Sequence, residues 1–152
     1  MEINEIRVSY KAGKKSAPCK NPEDIFEYIK TIWKKDPSLS DTMDLHETFV
    51  VLALDRGNKI IGYRTIAIGS AVGVIVCPKK VFQSLLLVNA QQFICVHNHP
   101  SGRVEPSEAD KFTTDKLVKL GVMMEMKCLD HFIIANDEVG VKYYSFLEMG
   151  DI

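Results

Sequence analysis

Between residues 42 and 150, β-prone runs and helical apolar stripes are interspersed without strictly alternating. That order constrains the fold more than any other feature. It predicts one mixed α/β unit, with helices packed on a sheet, and argues against a plain doubly wound fold. His46 to Leu54 is rich in Val, Phe, Thr and Leu, which favour strands. Asp55-Arg56-Gly57-Asn58 reads as a turn, and Lys59 to Ile68 as the returning strand of a hairpin. Ala71 to Val76 is expected to add a third strand. Pro78 suits a helix start, and Val81, Phe82, Leu85 and Leu86 supply its inner face through about Val88. Gln92 to His99 reads as a strand, and Pro106 to Leu120 as a helix closed by Gly121 at its C′ position. Met123 to Ala135 and Val139 to Tyr144 then finish the sheet around a turn at Asn136 to Glu138.

The chain changes character near residue 40, so residues 1–41 are expected to form an extension and residues 42–152 the domain. The extension begins with an alternating stretch, Glu2 to Tyr10, and a lysine-rich loop, Lys11 to Lys20. A helix follows. Asn21 can cap it, Pro22 fits its first position, and Glu23 and Asp24 suit its first turn. Ile25, Phe26, Ile29, Ile32 and Trp33 form its apolar stripe, and Pro37 to Asp41 reads as a connector. A length of 152 residues leaves little room for two full cores. No apolar run approaches the roughly 18 to 20 residues of a membrane helix, and Met1 to Lys20 lacks a signal-peptide h-region. The expectation is a cytoplasmic protein without a membrane partner. Its four cysteines, at 19, 77, 95 and 128, form no C-x-x-C pair and are expected to be reduced thiols.

Chemistry concentrates between Phe93 and Asp110. His97 and His99 are two apart at a strand end, so both imidazoles point to one face. Zinc needs a third protein ligand and, when catalytic, an open position for water. Asp110 is the natural third ligand, brought back by the Gly102-containing loop and the helix that follows it. Ser107 lies three residues before Asp110, on the same helix face. Two histidines and a carboxylate make a catalytic rather than a structural set, and can bring a water to a pKa near 7. Each piece also has a plainer reading. Ser107 and Asp110 resemble a helix capping box, and His97 to Gly102 could be a polar turn. The metallo-β-lactamase pattern fails because Ser101 and Gly102 occupy its last two places, and 152 residues cannot build the barrel of an amidohydrolase.

The spacing His97-x-His99-x7-Ser107-x2-Asp110 resembles the JAMM motif of MPN-domain metalloproteases. The string His97-Asn98-His99-Pro100-Ser101-Gly102 with Pro106-Ser107 resembles the RadC branch of that family. Glu47-x-Phe49 with Leu54-Asp55 and Asn58, Cys77 to Phe82, and Asp130 to Ile134 add to the likeness, which covers about residues 42 to 148. The resemblance implies a curved mixed sheet flanked by helices, of MPN or cytidine-deaminase-like architecture, with Zn2+ at its rim held by His97, His99 and Asp110. It implies catalytic roles for Glu47, as general base and acid, and for Ser107, as oxyanion partner. The residues agree: a carboxylate beside the apolar run Phe49 to Leu54 is costly unless paired or useful, although an exposed strand end would also explain it. The helix-hairpin-helix region common in RadC proteins is not found in this sequence, and Cys77 stands where a histidine is frequent. His131 reads either as a partner behind a ligand or as a satisfied sheet histidine, and His46 falls on the strand face opposite Glu47.

Three functions follow for comparison. The foremost is a zinc-dependent hydrolase of a peptide or isopeptide bond, with a protein or peptide substrate. The second is a RadC-like accessory of DNA repair, resting on Lys11, Lys14, Lys15 and Lys20 with Lys79 and Lys80. A net charge of -1 limits such a protein to weak, salt-sensitive DNA association. The third is an MPN interaction scaffold without catalysis, against which the intact ligand set argues.

Overall fold

The computed structural model describes residues 13–152; the alternating stretch Glu2 to Tyr10 lies outside them. Helix α1 spans Pro22–Lys35. The Asn21 side chain accepts a hydrogen bond from Asp24 N, Pro22 opens the first turn, and all five stripe residues are buried. Asp36 then caps a one-turn helix α2, Pro37–Ser40, where a connector was expected. Its carboxylate accepts from Ser38 N at 3.0 Å and Pro37 pre-sets the backbone, which suffices for one turn.

Strands β1 (Thr48–Leu54) and β2 (Ile60–Ile68) form the hairpin, followed by α3 (Pro78–Leu87) and β3 (Gln92–Asn98). Helix α4 (Glu108–Met123), β4 (Lys127–Asn136) and β5 (Val141–Ser145) complete the domain. The sheet order is β2-β1-β3-β4-β5. Only the β3–β4 pair is parallel; the others are antiparallel. The parallel pair needs a crossover, and α4 supplies it.

Every residue of β1 is buried because the sheet is covered on both faces. One face holds Val50, Leu52, Leu54, Ile94, Val96, Phe132 and Ile134, packed with the α1 stripe and Leu39 of α2. The other holds Phe49, Val51, Ala53, Phe93 and Cys95, packed with Val81, Phe82 and Leu85 of α3 and Leu117 of α4. The alternation continues to the strand ends. His97 follows Cys95 onto the α4 face, and Asn98 follows Val96 onto the α1 face.

Three expectations are corrected. Ala71 to Val76 is a loop, with Ser70 bridged to Gly73 and Val72 and Ile75 more than nine-tenths exposed. The chain folds on itself so tightly there that a Cβ on Gly69 would lie 2.0 Å from the Gly73 carbonyl oxygen. Leu86 is half exposed, and Ser84 turns inward beside Val81, Phe82 and Leu85. Gly121 does not close α4 but is buried within it. A Cβ there would meet Met126 O at 2.5 Å and Phe93 Cε1 at 2.9 Å, so the glycine lets the helix lie against the sheet. The helix ends at Met124. Glu125, at φ 55, is the left-handed residue, and Met126 N returns to Gly121 O at 2.8 Å.

Candidate metal centre

His97, at the end of β3, and His99, one residue beyond it, place their Nε2 atoms 3.0 Å apart. Asp110, in the first turn of α4, brings Oδ1 to 3.1 Å from His97 Nε2 and Oδ2 to 3.4 Å from His99 Nε2. Glu47, immediately before β1, has a carboxylate oxygen within 4.8 Å of nitrogen atoms of both imidazoles. The structure therefore brings Glu47, His97, His99 and Asp110 together.

The capping reading and the ligand reading of Ser107 and Asp110 describe one geometry. Ser107 Oγ accepts from Asp110 N at 3.1 Å, and Asp110 Oδ2 accepts from Ser107 N at 2.7 Å and from Ser107 Oγ at 2.6 Å. This capping box fixes the carboxylate rotamer and leaves Oδ1 toward His97. The Ser107 hydroxyl donates to Asp110 here, at the wall of the cleft.

His99 is held from behind. Its Nδ1 lies 2.9 Å from the Arg103 carbonyl, which can only accept. The Nδ1 proton is thus committed, and Nε2 is the ring atom left free to ligate. His97 Nδ1 lies 2.8 Å from His131 Nε2, and His131 Nδ1 lies 2.6 Å from Thr114 Oγ1. His131 is completely buried, stacks on Phe146 and lies directly behind His97. His46 stays outside the cluster; it lies in the bend before β1 rather than on the strand expected for it.

The position of His131 on β4 explains why that strand's own pattern did not reveal its role behind His97. Phe93 pairs with Cys128, but Ile94 pairs with Asp130, so β4 carries one extra residue at Leu129. That bulge switches the phase of the strand and sets His131 beside Cys95, on the face of His97. Asn98 was also missed, appearing only as the middle letter of H-x-H. Its buried amide accepts from Thr48 N at 2.7 Å and donates to Met43 O at 2.7 Å and His46 O at 2.9 Å. It ties the segment carrying Glu47 to the strand carrying the histidines. The only sequence signal was the outward phase of a polar residue in a buried strand.

Burial pushes the Glu47 carboxyl above its usual range. The nearby Asp110 adds to this, and His97 and His99 oppose it. Burial alone would also raise Asp110, but its bonds to His97, His99 and Ser107 hold it far below the carboxylate range. Burial would lower His99, yet its bonds to Asp110 and the Arg103 carbonyl raise it. His131 is driven well below the usual histidine value, first by burial and then by His97. The cluster opens into a cleft of 720 Å³, whose walls include Val72, Val74, Arg103 and Glu105.

The family model for the RadC-like JAB domain matches residues 19–151. This chain belongs to the RadC-like JAB domain family. A UPF0758 protein of Chlorobaculum tepidum is 36% identical over 119 residues, covering 78% of this chain and 50% of the relative. One from Flavobacterium johnsoniae is 42% identical over 105 residues, covering 69% of this chain and 44% of the relative. The chain thus spans about half the length of the relatives it matches. The mixed five-stranded sheet flanked by helices is consistent with the JAB fold. The family match includes α1, which covers one sheet face. Among the described residues, no helix is long and apolar enough to cross a membrane.

The donor set fits a metal of the zinc type. The two imidazole Nε2 atoms lie 3.0 Å apart, near the ~3.4 Å edge of a tetrahedron of donors about 2.0–2.1 Å from one ion, and each has a different oxygen of the Asp110 carboxylate within 3.4 Å.

Proposed function

We propose that this RadC-like JAB domain is a zinc-dependent metallohydrolase that cleaves a peptide or isopeptide bond. The observation that carries the reading is the convergence of His97 Nε2, His99 Nε2 and the Asp110 carboxylate beside the buried Glu47. His97, His99 and Asp110 would hold the ion. Zinc bound there supplies Lewis acidity and lowers the pKa of a water toward about 7.

The remaining work falls to the chain. Glu47 accepts the proton of the attacking water and returns it to the leaving amine. Its carboxylate, close to both imidazoles, is placed for both transfers. Phe49, stacked 6.0 Å from His97 and edge-on to His131, forms the dry wall that strengthens these electrostatic interactions. Ser107 stabilises the carbonyl oxygen as it gains charge, by turning its hydroxyl from Asp110 toward the cleft. Lys15, one of the lysines behind the DNA reading, pairs with Asp55 at 2.8 Å.

Elemental mass spectrometry of wild type and His97→Ala, followed by assays on fluorogenic peptides and ε-lysyl isopeptides, tests the proposal. The expected result is one zinc per wild-type chain, lost in the variant, and cleavage that Glu47→Gln abolishes. A wild type that takes up no zinc on reconstitution would refute the metallohydrolase. Zinc uptake without cleavage of either substrate class would favour the scaffold.

A further inference from the structure

The contacts behind His97 form a closed ring. His97 Nδ1 meets His131 Nε2 at 2.8 Å, His131 Nδ1 meets Thr114 Oγ1 at 2.6 Å, and Thr114 Oγ1 meets the Asp110 main-chain carbonyl at 2.7 Å. Asp110 Oδ1 closes the circuit 3.1 Å from His97 Nε2. The ring joins β3, β4 and α4. Thr114 is 3% exposed and His131 0%, so every donor and acceptor must find its partner within the ring.

Counting protons leaves two arrangements that pair His97, His131 and Thr114 with one another; the first leaves His97 Nε2 without a proton toward Asp110 and His99, and the second leaves the Asp110 carbonyl without one from Thr114. In one, Thr114 donates to the Asp110 carbonyl, so Oγ1 must accept from His131 Nδ1–H. His131 Nε2 then carries a lone pair and accepts from His97 Nδ1–H, which leaves His97 Nε2 unprotonated. In the other, every donor is reversed. Thr114 donates to His131 Nδ1, His131 Nε2–H donates to His97 Nδ1, and His97 Nε2–H donates to Asp110 Oδ1. Both arrangements keep both rings neutral. Only the first leaves His97 Nε2 able to ligate a metal. A threonine suits the end of this chain because its hydroxyl both donates and accepts.

We infer that His131 and Thr114 are positioning residues that set the tautomer of His97, holding its one ring proton on Nδ1 so that the Nε2 lone pair is free for a metal without stranding a buried polar group. The inference rests on the metal-centre reading. It extends that reading to two residues that touch neither ion nor substrate. Thr114→Val keeps the shape and removes the hydroxyl, which orphans His131 Nδ1 in the metal-binding arrangement. Thr114→Ser keeps the hydroxyl.

The test is zinc competition with a chromophoric chelator on wild type, Thr114→Val and Thr114→Ser, with long-range 1H–15N spectra of the histidine rings. Zinc-loaded wild type is expected to show His97 and His131 both as Nδ1–H tautomers. Thr114→Val should bind zinc about 10–100-fold more weakly, and Thr114→Ser should recover most of the loss. A zinc-loaded wild type with His131 as the Nε2–H tautomer would overturn the inference even if the valine variant fails to fold. So would a folded Thr114→Val with wild-type zinc affinity. Wild type that binds no zinc would overturn the metal centre as well, which separates the two failures.

Discussion

Asn98 shows how much one amide can decide at this site. It supplies one acceptor and two donors to the segment between Met43 and Thr48, and all three bonds are 2.9 Å or shorter. Asn98→Ala leaves three backbone groups without their partner. It is expected to destabilise the protein by about 2–3 kcal/mol, since orphaned buried groups cost about 1–3 kcal/mol each and water recovers part of that. Denaturant unfolding would show it as a lower midpoint at unchanged slope. Zinc content should persist in Asn98→Ala, because the ligands do not depend on this amide, while cleavage should fall as Glu47 loses its anchor. Glu47 itself offers a titration. Burial disfavours its charged form, so in metal-free protein its carboxyl should titrate above the usual glutamate value. A divalent cation favours the charged form, so zinc should shift the titration to lower pH. Side-chain 13C shifts of Glu47 across pH, with and without zinc, measure both; an unmoved midpoint on loading would contradict the proposed proximity.

At the scale of elements, local rules served well where the chain makes its own partners. The Asn21 cap, Pro22 start and apolar stripe of α1 are short-range features, and the structure reproduces them. The rules failed where a neighbour decides. Gly121 looked like a helix stop, but Phe93 and Met126 demand a residue without Cβ there. Gly121→Ala, otherwise helix-favouring, is expected to cost about 1–3 kcal/mol through overpacking. Glu125 is the reverse case. It holds a left-handed conformation at the C′ position, with its N–H bonded to Val122 O and that of Met126 to Gly121 O. Glu125→Gly is therefore expected to raise stability by about 1 kcal/mol. Thermal unfolding of the two variants should give shifts of opposite sign. Ala71 to Val76 carries the β-branched residues of a strand, but among the described residues no strand pairs with it. With no partner, strand propensity alone gives only the Ser70–Gly73 bridge.

For the molecule as a whole, the candidate metal centre is a joint between layers. Its proposed ligands come from β3, the turn after it and the start of α4, and the ring behind them reaches β4. An ion held there ties the crossover helix to the sheet and stabilises the native state by mass action. At 100-fold excess over the dissociation constant the gain is about 2.7 kcal/mol, or about 5–10 °C in unfolding temperature for a chain of this size. Removing zinc with a chelator should lower the unfolding temperature of wild type by that amount. It should leave metal-free His97→Ala unmoved, as differential scanning calorimetry would read directly. Equal responses of the two proteins would place the ion elsewhere.

By themselves, the residues between Phe93 and Asp110 determined which side chains could be brought together as a candidate ligand set, because strand and helix periodicities are local. Two histidines two apart share a face, and a Ser and an Asp three apart share a helical turn. The mixed class of the fold was equally legible from the order of apolar patterns. Tertiary structure alone decided what stands behind the ligands. Asn98 meets Thr48 across 50 positions, and His131 meets His97 across 34. A single bulge at Leu129 selects which face of β4 looks at the site. Contacts at that separation depend on strand pairing and register, which the packing of both sheet faces sets and no local pattern encodes.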